Sequence, residues 1–255
     1  MQTIKKKIVL KEGEKDLKLC LLSDPHVGQR YHDKDEYRKV IDWLDEMKEY
    51  RVILGGDMIE CCTRKYKEDQ IMEIDEQIDQ VIDDFASMAE EGRVWGIIQG
   101  NHEARGIIDA GMNPTHRMAK ALDVPNLDAG AIFWMNVKKQ GARKGQNYSL
   151  YYKHGSSGAT TLNGRNNALL KLRNIVVNAD IYAMGHCHTR SHFIMSPYEI
   201  DRGHTTMKVQ HFIITGSYLL YEGSYGDRKN YAPSSPSGSA RVKLRADTKL
   251  ITVKE

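Results

Sequence analysis

The chain has 255 residues, 40% apolar and 28% charged, with 37 Lys and Arg against 34 Asp and Glu for a net charge of +3. This is the composition of an ordinary globular protein long enough to bury a sizeable core, and it excludes collagenous, disordered and membrane-spanning classes. Cys20, Cys61, Cys62 and Cys187 lack the spacing of a disulfide framework, residues 1–10 carry no apolar run long enough for a signal peptide, and +3 is too small a charge to imply a nucleic-acid partner on its own; the chain is expected in the reducing cytoplasm, away from membranes.

Residues 7–10 and 17–22 are short apolar runs with Gly13 between them, read as a hairpin or two successive strands. Tyr37, Val40, Ile41, Leu44 and Met47 step by three and four through 35–50, which predicts an amphipathic helix. The run 52–54 ends at Gly55-Gly56 and reads as a buried strand. The clearest helix is 68–91, with Ile71, Ile74, Ile78, Val81, Phe85 and Met88 on one stripe and Gly92 as its stop. Residues 94–98 form another buried strand, and this alternation predicts parallel strands with crossover helices. Farther on, 132–137, 148–153, 181–184 and 209–215 look extended, with one helix near 166–177. Residues 232–240 are a loop of Pro, Ser and Gly, and 241–254 alternate about Ala246-Asp247 as a hairpin. The expected fold is α/β (α+β), two β-sheets flanked by helices. It forms one domain over 1–255, in which 226–255 supply a Pro/Ser-rich loop and a C-terminal hairpin.

Five short stretches each end or follow a predicted strand: Asp24-Pro25-His26, Gly56-Asp57, Gly100-Asn101-His102-Glu103, His154-Gly155 and Gly185-His186-Cys187-His188. Their oxygen and nitrogen donors suit divalent ions such as Mn, Fe and Zn. The carboxyl ends of adjacent parallel strands converge on one crevice, and glycines beside ligands permit close approach. Singly, an Asp-x-His or Gly-Asp is a turn or a capped helix start. The two histidines of 186–188, read as strand residues, share a face, with Cys187 on the opposite one as a small apolar residue. Five such stretches in this order do not arise by chance.

As a set, they resemble the calcineurin-like metallophosphoesterase superfamily, over Asp24 to His188, about two-thirds of the chain. Ser23 stands where that family usually has Gly, and no ligand is lost. The resemblance implies two divalent ions, Mn2+ foremost, with Fe, Zn, Ni or Mg as alternatives. Asp24, His26 and His188 would hold the first and Asn101, His154 and His186 the second, with Asp57 bridging. Two such cations about 3.5–4 Å apart hold a phosphate and acidify a water. His102, placed in the strand-end turn, is the expected general acid or electrostatic clamp. Glu103 is expected to be structural, accepting from a ligand histidine or capping the next turn. Arg105 is a candidate for a substrate phosphate, by its guanidinium fork. Cys61-Cys62 read as reduced packing residues.

The superfamily's protein phosphatases carry Gly-Asp-x-x-Asp-Arg-Gly, whereas this chain reads Gly56-Asp57-Met58-Ile59-Glu60, which argues against that activity. The resemblance is closer to the phosphodiesterase and DNA-repair exonuclease branch. The expected function is thus a phosphodiesterase, a nuclease acting on DNA. A small-molecule phosphodiesterase or phosphatase, for instance on a cyclic nucleotide, is the alternative. A catalytically silent metal-stabilised module is a third reading, disfavoured because every ligand position and His102 are present. Residues 226–255 hold seven Lys or Arg against three Asp or Glu, so this end is a candidate contact for a nucleic-acid backbone. Tyr218, Tyr221, Tyr225 and Tyr231 lie nearby, and 155–164 is a Gly-, Ser- and Thr-rich candidate channel wall running to Arg165.

Overall fold

The computed structural model describes residues 1–63, 67–201, 203–231, 233 and 237–254. In chain order the elements are β1 (Gln2–Leu10), β2 (Asp16–Leu22), α1 (Lys34–Glu46), β3 (Tyr50–Leu54), α2 (Ile74–Glu90), β4 (Val94–Ile97), α3 (Asn101–Ala110) and α4 (Pro114–Ala121). They continue as β5 (Gly130–Lys139), β6 (Gln146–Lys153), α5 (Leu162–Leu170), β7 (Ile181–Met184), β8 (Arg190–Met195), β9 (Tyr198–Asp201), β10 (His204–Met207), β11 (Gln210–Thr215), α6 (Tyr225–Arg228), β12 (Ser239–Arg245) and β13 (Ile251–Lys254).

Two sheets stack face to face. One runs β1-β5-β6-β7-β11-β8 and the other β13-β12-β2-β3-β4, while β9 and β10 form a separate antiparallel pair. Between the sheets, Leu19, Leu21 and Ile53 meet Phe133, Met135, Tyr148, Leu150, Tyr152 and Ile213 in a dry core. The outer face of the five-stranded sheet packs Cys20, Leu22, Val52 and Leu54 against Ile41, Leu44, Ile78, Val81, Phe85 and Met118 of α1, α2 and α4. α5 and the turn after it cover Tyr151, Tyr182, Phe212 and Ile214 on the other sheet with Leu169 and Leu172. The architecture is the expected two-sheet sandwich flanked by helices. The strands β2, β3 and β4 are parallel, as are β6, β7 and β11, and all six are buried on both faces.

Several elements differ from expectation. β1 and β2 are successive strands but lie in different sheets, β1 pairing in parallel with β5. Alternation explains the choice, since Ile4 and Ile8 join the core while Lys5 and Lys7 point outward. α1 stops at Glu46, because Tyr50 already belongs to β3. α2 starts at Ile74, where Glu73 and Glu76 form a capping box, so Ile71 lies outside the helix and is exposed. α5 starts earlier than expected, at Leu162, because the Thr161 hydroxyl accepts the Gly164 N–H, and its helix ends at Leu170 before a 3-10 turn over Lys171–Asn174. α3, α4, β8, β9 and β10 had no counterpart among the expected elements. β12 and β13 form the expected C-terminal hairpin, with Ser239 and Ala240 already in the strand. Of the Pro/Ser loop, 232 and 234–236 lie outside the described residues.

Candidate metal centre

The carboxyl ends of β2, β3, β4, β6 and β7 open toward one cleft, and each supplies a ligand-bearing turn. β2 leads to Asp24 and His26, β3 to Asp57, β4 to Asn101, β6 to His154, and β7 to His186 and His188. All seven candidate ligands come together. Asp24, His26, Asp57 and His188 form one cluster of donor atoms within 4.8 Å of one another, and Asp57, His154 and His186 form a second. Asp57 belongs to both. Its Oδ2 is 3.2 Å from His154 Nε2 and 3.9 Å from His26 Nε2. Asn101 Oδ1 completes the second cluster, 2.7 Å from His186 Nδ1 and 3.2 Å from His154 Nε2.

The other ring nitrogen of three of these imidazoles is held by a fixed acceptor. His154 Nδ1 donates to Gly55 O at 2.9 Å, His26 Nδ1 meets Glu60 Oε2 at 3.0 Å, and His186 Nε2 lies 3.3 Å from Ser157 O. These contacts select the tautomer that turns a lone pair toward the cluster. His26 Nε2 then faces His188 Nε2 at 3.1 Å, with Asp24 Oδ1 3.3 Å from the latter. Two lone pairs at that separation need a proton or a cation between them, so the donor set fits divalent metal ions.

Electrostatics tell the same story. Burial works to raise the Asp57 carboxyl, but His154, His102 and His26 outweigh it and hold it well below the usual range. Burial likewise opposes charge on His154, yet Asp57 and Asp24 push it up to about 10. In the metal-free chain, protons on His154 and His26, the two rings whose pKa is raised, therefore balance the buried carboxylates.

The backbone is shaped for this. Asp24, His26, Asp57, His186 and His188, five of the seven ligands, have φ between 49° and 63°. That left-handed region costs non-glycine residues, by about 1–3 kcal/mol each, and strain of this kind gathers at functional sites. The His186–His188 pair is thus not on a strand, as read from the sequence. β7 ends at Met184, and both residues reach the cleft from a left-handed loop, with Cys187 buried in the core beneath α5. Gly100 is required by crowding, since a Cβ there would stand 2.1 Å from Asp57 Oδ1 and 2.2 Å from Asp57 N.

Glu103 is fully buried and structural, but not by bonding a histidine. It accepts the N–H groups of Asp57 (3.1 Å), Met58 (2.6 Å), Ile59 (3.3 Å) and Gly100 (2.8 Å), tying the turn after β3 to the start of α3. Burial and the Asp57 charge push its carboxyl up to about 7, while the four donors favour the ionised form. His102 sits in the first turn of α3 rather than in a strand-end turn, and its N–H donates to Asp57 Oδ1 at 2.8 Å. Its Nδ1 lies 2.6 Å from Glu60 O and its Nε2 3.9 Å from Asp57 Oδ2; burial pushes the ring down to about 4. Arg105, one turn along α3, places its guanidinium 3.1 Å from both His102 ring nitrogens.

Sequence reasoning missed Glu60. Its carboxylate fixes His26, accepts from Cys62 Sγ at 3.1 Å and, despite burial, is drawn down to about 2 by His102 and His26. Its signal was an acidic residue three positions after the bridging Asp57. Cys61 and Cys62 are buried, and all four cysteines are free thiols. The cleft above the clusters has a volume of about 270 Å³, and its walls include Arg105, Arg165, Arg228, Tyr225 and Tyr231.

No family model matches the chain, and no curated protein does. Among solved structures it is similar to YfcE, a phosphoesterase from E. coli, at 15% identity over 93% of this chain and 98% of that one, with a TM-score of 0.43. It is similar to Vps29 of Chaetomium thermophilum at 14% identity over 93% and 96%, TM-score 0.38. It is also similar to the calcineurin-like phosphoesterase YfkN from Bacillus subtilis at 11% identity over 94% and 91%, TM-score 0.37.

Two predictions follow from the cluster. Metal loading at pH 7 releases protons, because His154 holds one up to about pH 10. Apparent affinity accordingly rises with pH, and calorimetry in buffers of different ionisation enthalpy reads the release; Asp57→Asn abolishes it along with binding at both clusters. His188→Asn loses metal from the first cluster yet leaves the metal-free chain at least as stable, by up to about 1 kcal/mol, because Asn tolerates the left-handed backbone. Metal content and thermal melts of the chelated protein check this.

Proposed function

We propose that the chain is a two-metal phosphoesterase of the calcineurin-like type that hydrolyses phosphodiester bonds in nucleic acid, DNA foremost, with manganese as the working ion. The observation that carries this reading is Asp57, whose carboxylate is shared by two converging donor clusters at the floor of an open cleft. Asp24, His26, Asp57 and His188 would hold one ion, and Asp57, Asn101, His154 and His186 the other. When bound, the pair supplies Lewis-acid polarisation of a phosphoryl oxygen and acidifies water.

The chain's own groups do the rest. His102 is fixed by its Nδ1 contact to Glu60 O, which leaves Nε2 as the atom that takes up and delivers a proton. Its ring is neutral in the empty cleft; an anionic phosphate beside it favours protonation at Nε2, and that proton passes to the leaving oxygen. In the empty cleft Arg105 Nη2 donates to the His102 Nε2 lone pair, and once Nε2 takes up a proton that bond is lost, which frees the guanidinium to donate to the phosphate.

Support for a polymeric substrate comes from a groove of about 710 Å³ that adjoins the cleft at Ser157–Ala159 and His186. Lys153 and Lys171 line it with no acidic partner among the described residues. The C-terminal hairpin is a poorer candidate for this contact. Arg245 bonds Asp16, Lys249 bonds Asp180, and Arg241 lies over the Trp43 ring. The cleft's modest volume favours the second reading, a small phosphodiester. A reducing, cytoplasmic setting belongs to this proposal and accords with the free thiols.

End-labelled single- and double-stranded DNA incubated with Mn2+ is expected to shorten on a denaturing gel with the wild-type protein and to stay intact with Asp57→Asn. Intact DNA beside hydrolysis of bis-p-nitrophenyl phosphate assigns a small-molecule phosphodiesterase, and no turnover of either substrate overturns the enzyme reading. His102→Ala is expected to keep its metals by elemental analysis. It slows substrates with poor alkoxide leaving groups by roughly 10²–10⁴ while sparing p-nitrophenyl esters, whose leaving group needs no proton.

A further inference from the structure

Two arginines among the described residues are buried to 2% exposure, and their surroundings differ sharply. Arg93 donates to Glu91 Oε2 at 2.6 Å and to Leu44 O at 2.7 Å, and its Nη2, which makes no hydrogen bond among the described residues, still faces Asp45 Oδ1 at 3.8 Å. Arg165 has no carboxylate partner among the described residues. Its Nε donates to Ala159 O at 3.2 Å, its guanidinium carbon lies 4.8 Å from the centre of the Tyr231 ring, and its buried Nη2 has no hydrogen-bond partner among the described residues.

A guanidinium does not escape this position by losing its proton. Burying an unpaired charge is expensive, and a tyrosine face returns only about 0.5–2 kcal/mol. A fold that keeps such a group has an anion to put beside it. The place is specific, for Arg165 lines the cleft over the two metal clusters. Its anchor, Ala159 O, belongs to the same loop as Ser157, whose carbonyl lies 3.3 Å from His186 Nε2. The guanidinium is thus tied through one short loop to the second cluster and lies over the Tyr231 ring. Arg105 is differently occupied, against His102.

We propose that Arg165 is the phosphoryl anchor of the cleft, taking a non-bridging oxygen of the substrate phosphate on its unpartnered Nη2. This rests on the phosphoesterase reading for the identity of the anion, and on the burial and missing partner of Arg165 for the existence of the site. It makes Arg165 a binding residue whose removal raises KM for anionic phosphodiesters and leaves the metals in place. It also predicts that the charge burdens the empty protein.

The test uses the Mn-loaded protein, with inorganic phosphate as the probe, on wild type, Arg165→Met and Arg165→Lys. Wild type is expected to bind phosphate by calorimetry. Arg165→Met keeps the metal content, melts no lower than wild type without phosphate, and binds phosphate about 10–100-fold more weakly, the worth of one charge-assisted hydrogen bond. Arg165→Lys falls between, having charge without the fork, and it decides the matter if Arg165→Met does not fold. Phosphate affinity unchanged in Arg165→Lys together with a large loss of melting temperature in Arg165→Met makes the side chain a strut and overturns the proposal, as does failure of wild type to bind phosphate. Phosphate binding that depends on Arg165 in a protein that hydrolyses no phosphoester upholds the anchor and sinks the function; hydrolysis with phosphate binding indifferent to Arg165 does the reverse.

Discussion

Four carboxylates, those of Asp24, Asp57, Glu60 and Glu103, are buried around one cleft floor, and the rest of the site is built to tolerate them. Buried anions need cations or hydrogen-bond donors in direct contact. Glu103 is satisfied by four backbone N–H groups and Glu60 by His26 and Cys62, so both are settled within the fold. Asp24 and Asp57 are not settled in the same way. Each accepts a backbone N–H, from His186 and His102 respectively, but each also faces an imidazole, His188 beside Asp24 and His154 beside Asp57, an arrangement complete only with positive charge between carboxylate and ring. The metal site is what remains once the purely structural contacts have been assigned.

The same logic explains why the ligands sit where they do. Strands buried on both faces leave little room for a carboxylate or an imidazole along their length, His211 in β11 being an exception, so the candidate ligands gather at strand ends, where the chain turns out of the sheet. Bringing seven side chains from five such turns onto one point exceeds what ordinary backbone allows. The left-handed φ values of five ligands and the close approach of Gly100 to Asp57 are the local cost, and Glu103 offsets it by clamping the turns after β3 and β4 to each other. Helix α3 serves the site more than the core, for among its residues only Glu103 and Gly106 are buried.

That division decides what could be read from the sequence. Periodic burial revealed β2, β3, α2 and the central strands, because each presents an apolar set to a core. It did not reveal α3, which carries no apolar stripe and announces itself only by the Gly100–Glu103 cap. β8–β10 lie outside too, their residues half-buried or exposed wherever described. The candidate ligands were legible as residue types at strand ends, and the structure brings all seven together. The geometry of the His186–His188 pair was not legible, because period-two reasoning assumes extended backbone and these two residues are left-handed. Glu60 was missed for another reason, since what it does depends on a contact with His26, far away in sequence, and the burial of Arg165 against Tyr231 was equally illegible, although the residue itself was noted at the end of the 155–164 loop.

Charge then gives the cleft a direction. The acidic helix α2 packs against the outer face of the five-stranded sheet, and part of its charge is neutralised by Arg117 on Asp75 and Asp79 and by Arg38 on Asp84. Lys153 and Lys171 lie on the other side of the molecule, with the sheet that α5 covers, and nothing acidic among the described residues pairs with them. A net charge of +3 hides this separation, which places negative potential on one flank and positive potential at the groove that leads to His186. Arg165, buried without a carboxylate partner among the described residues, stands where that groove meets the cleft, bonded to the loop shared by both, so its charge adds to the positive side of the cleft.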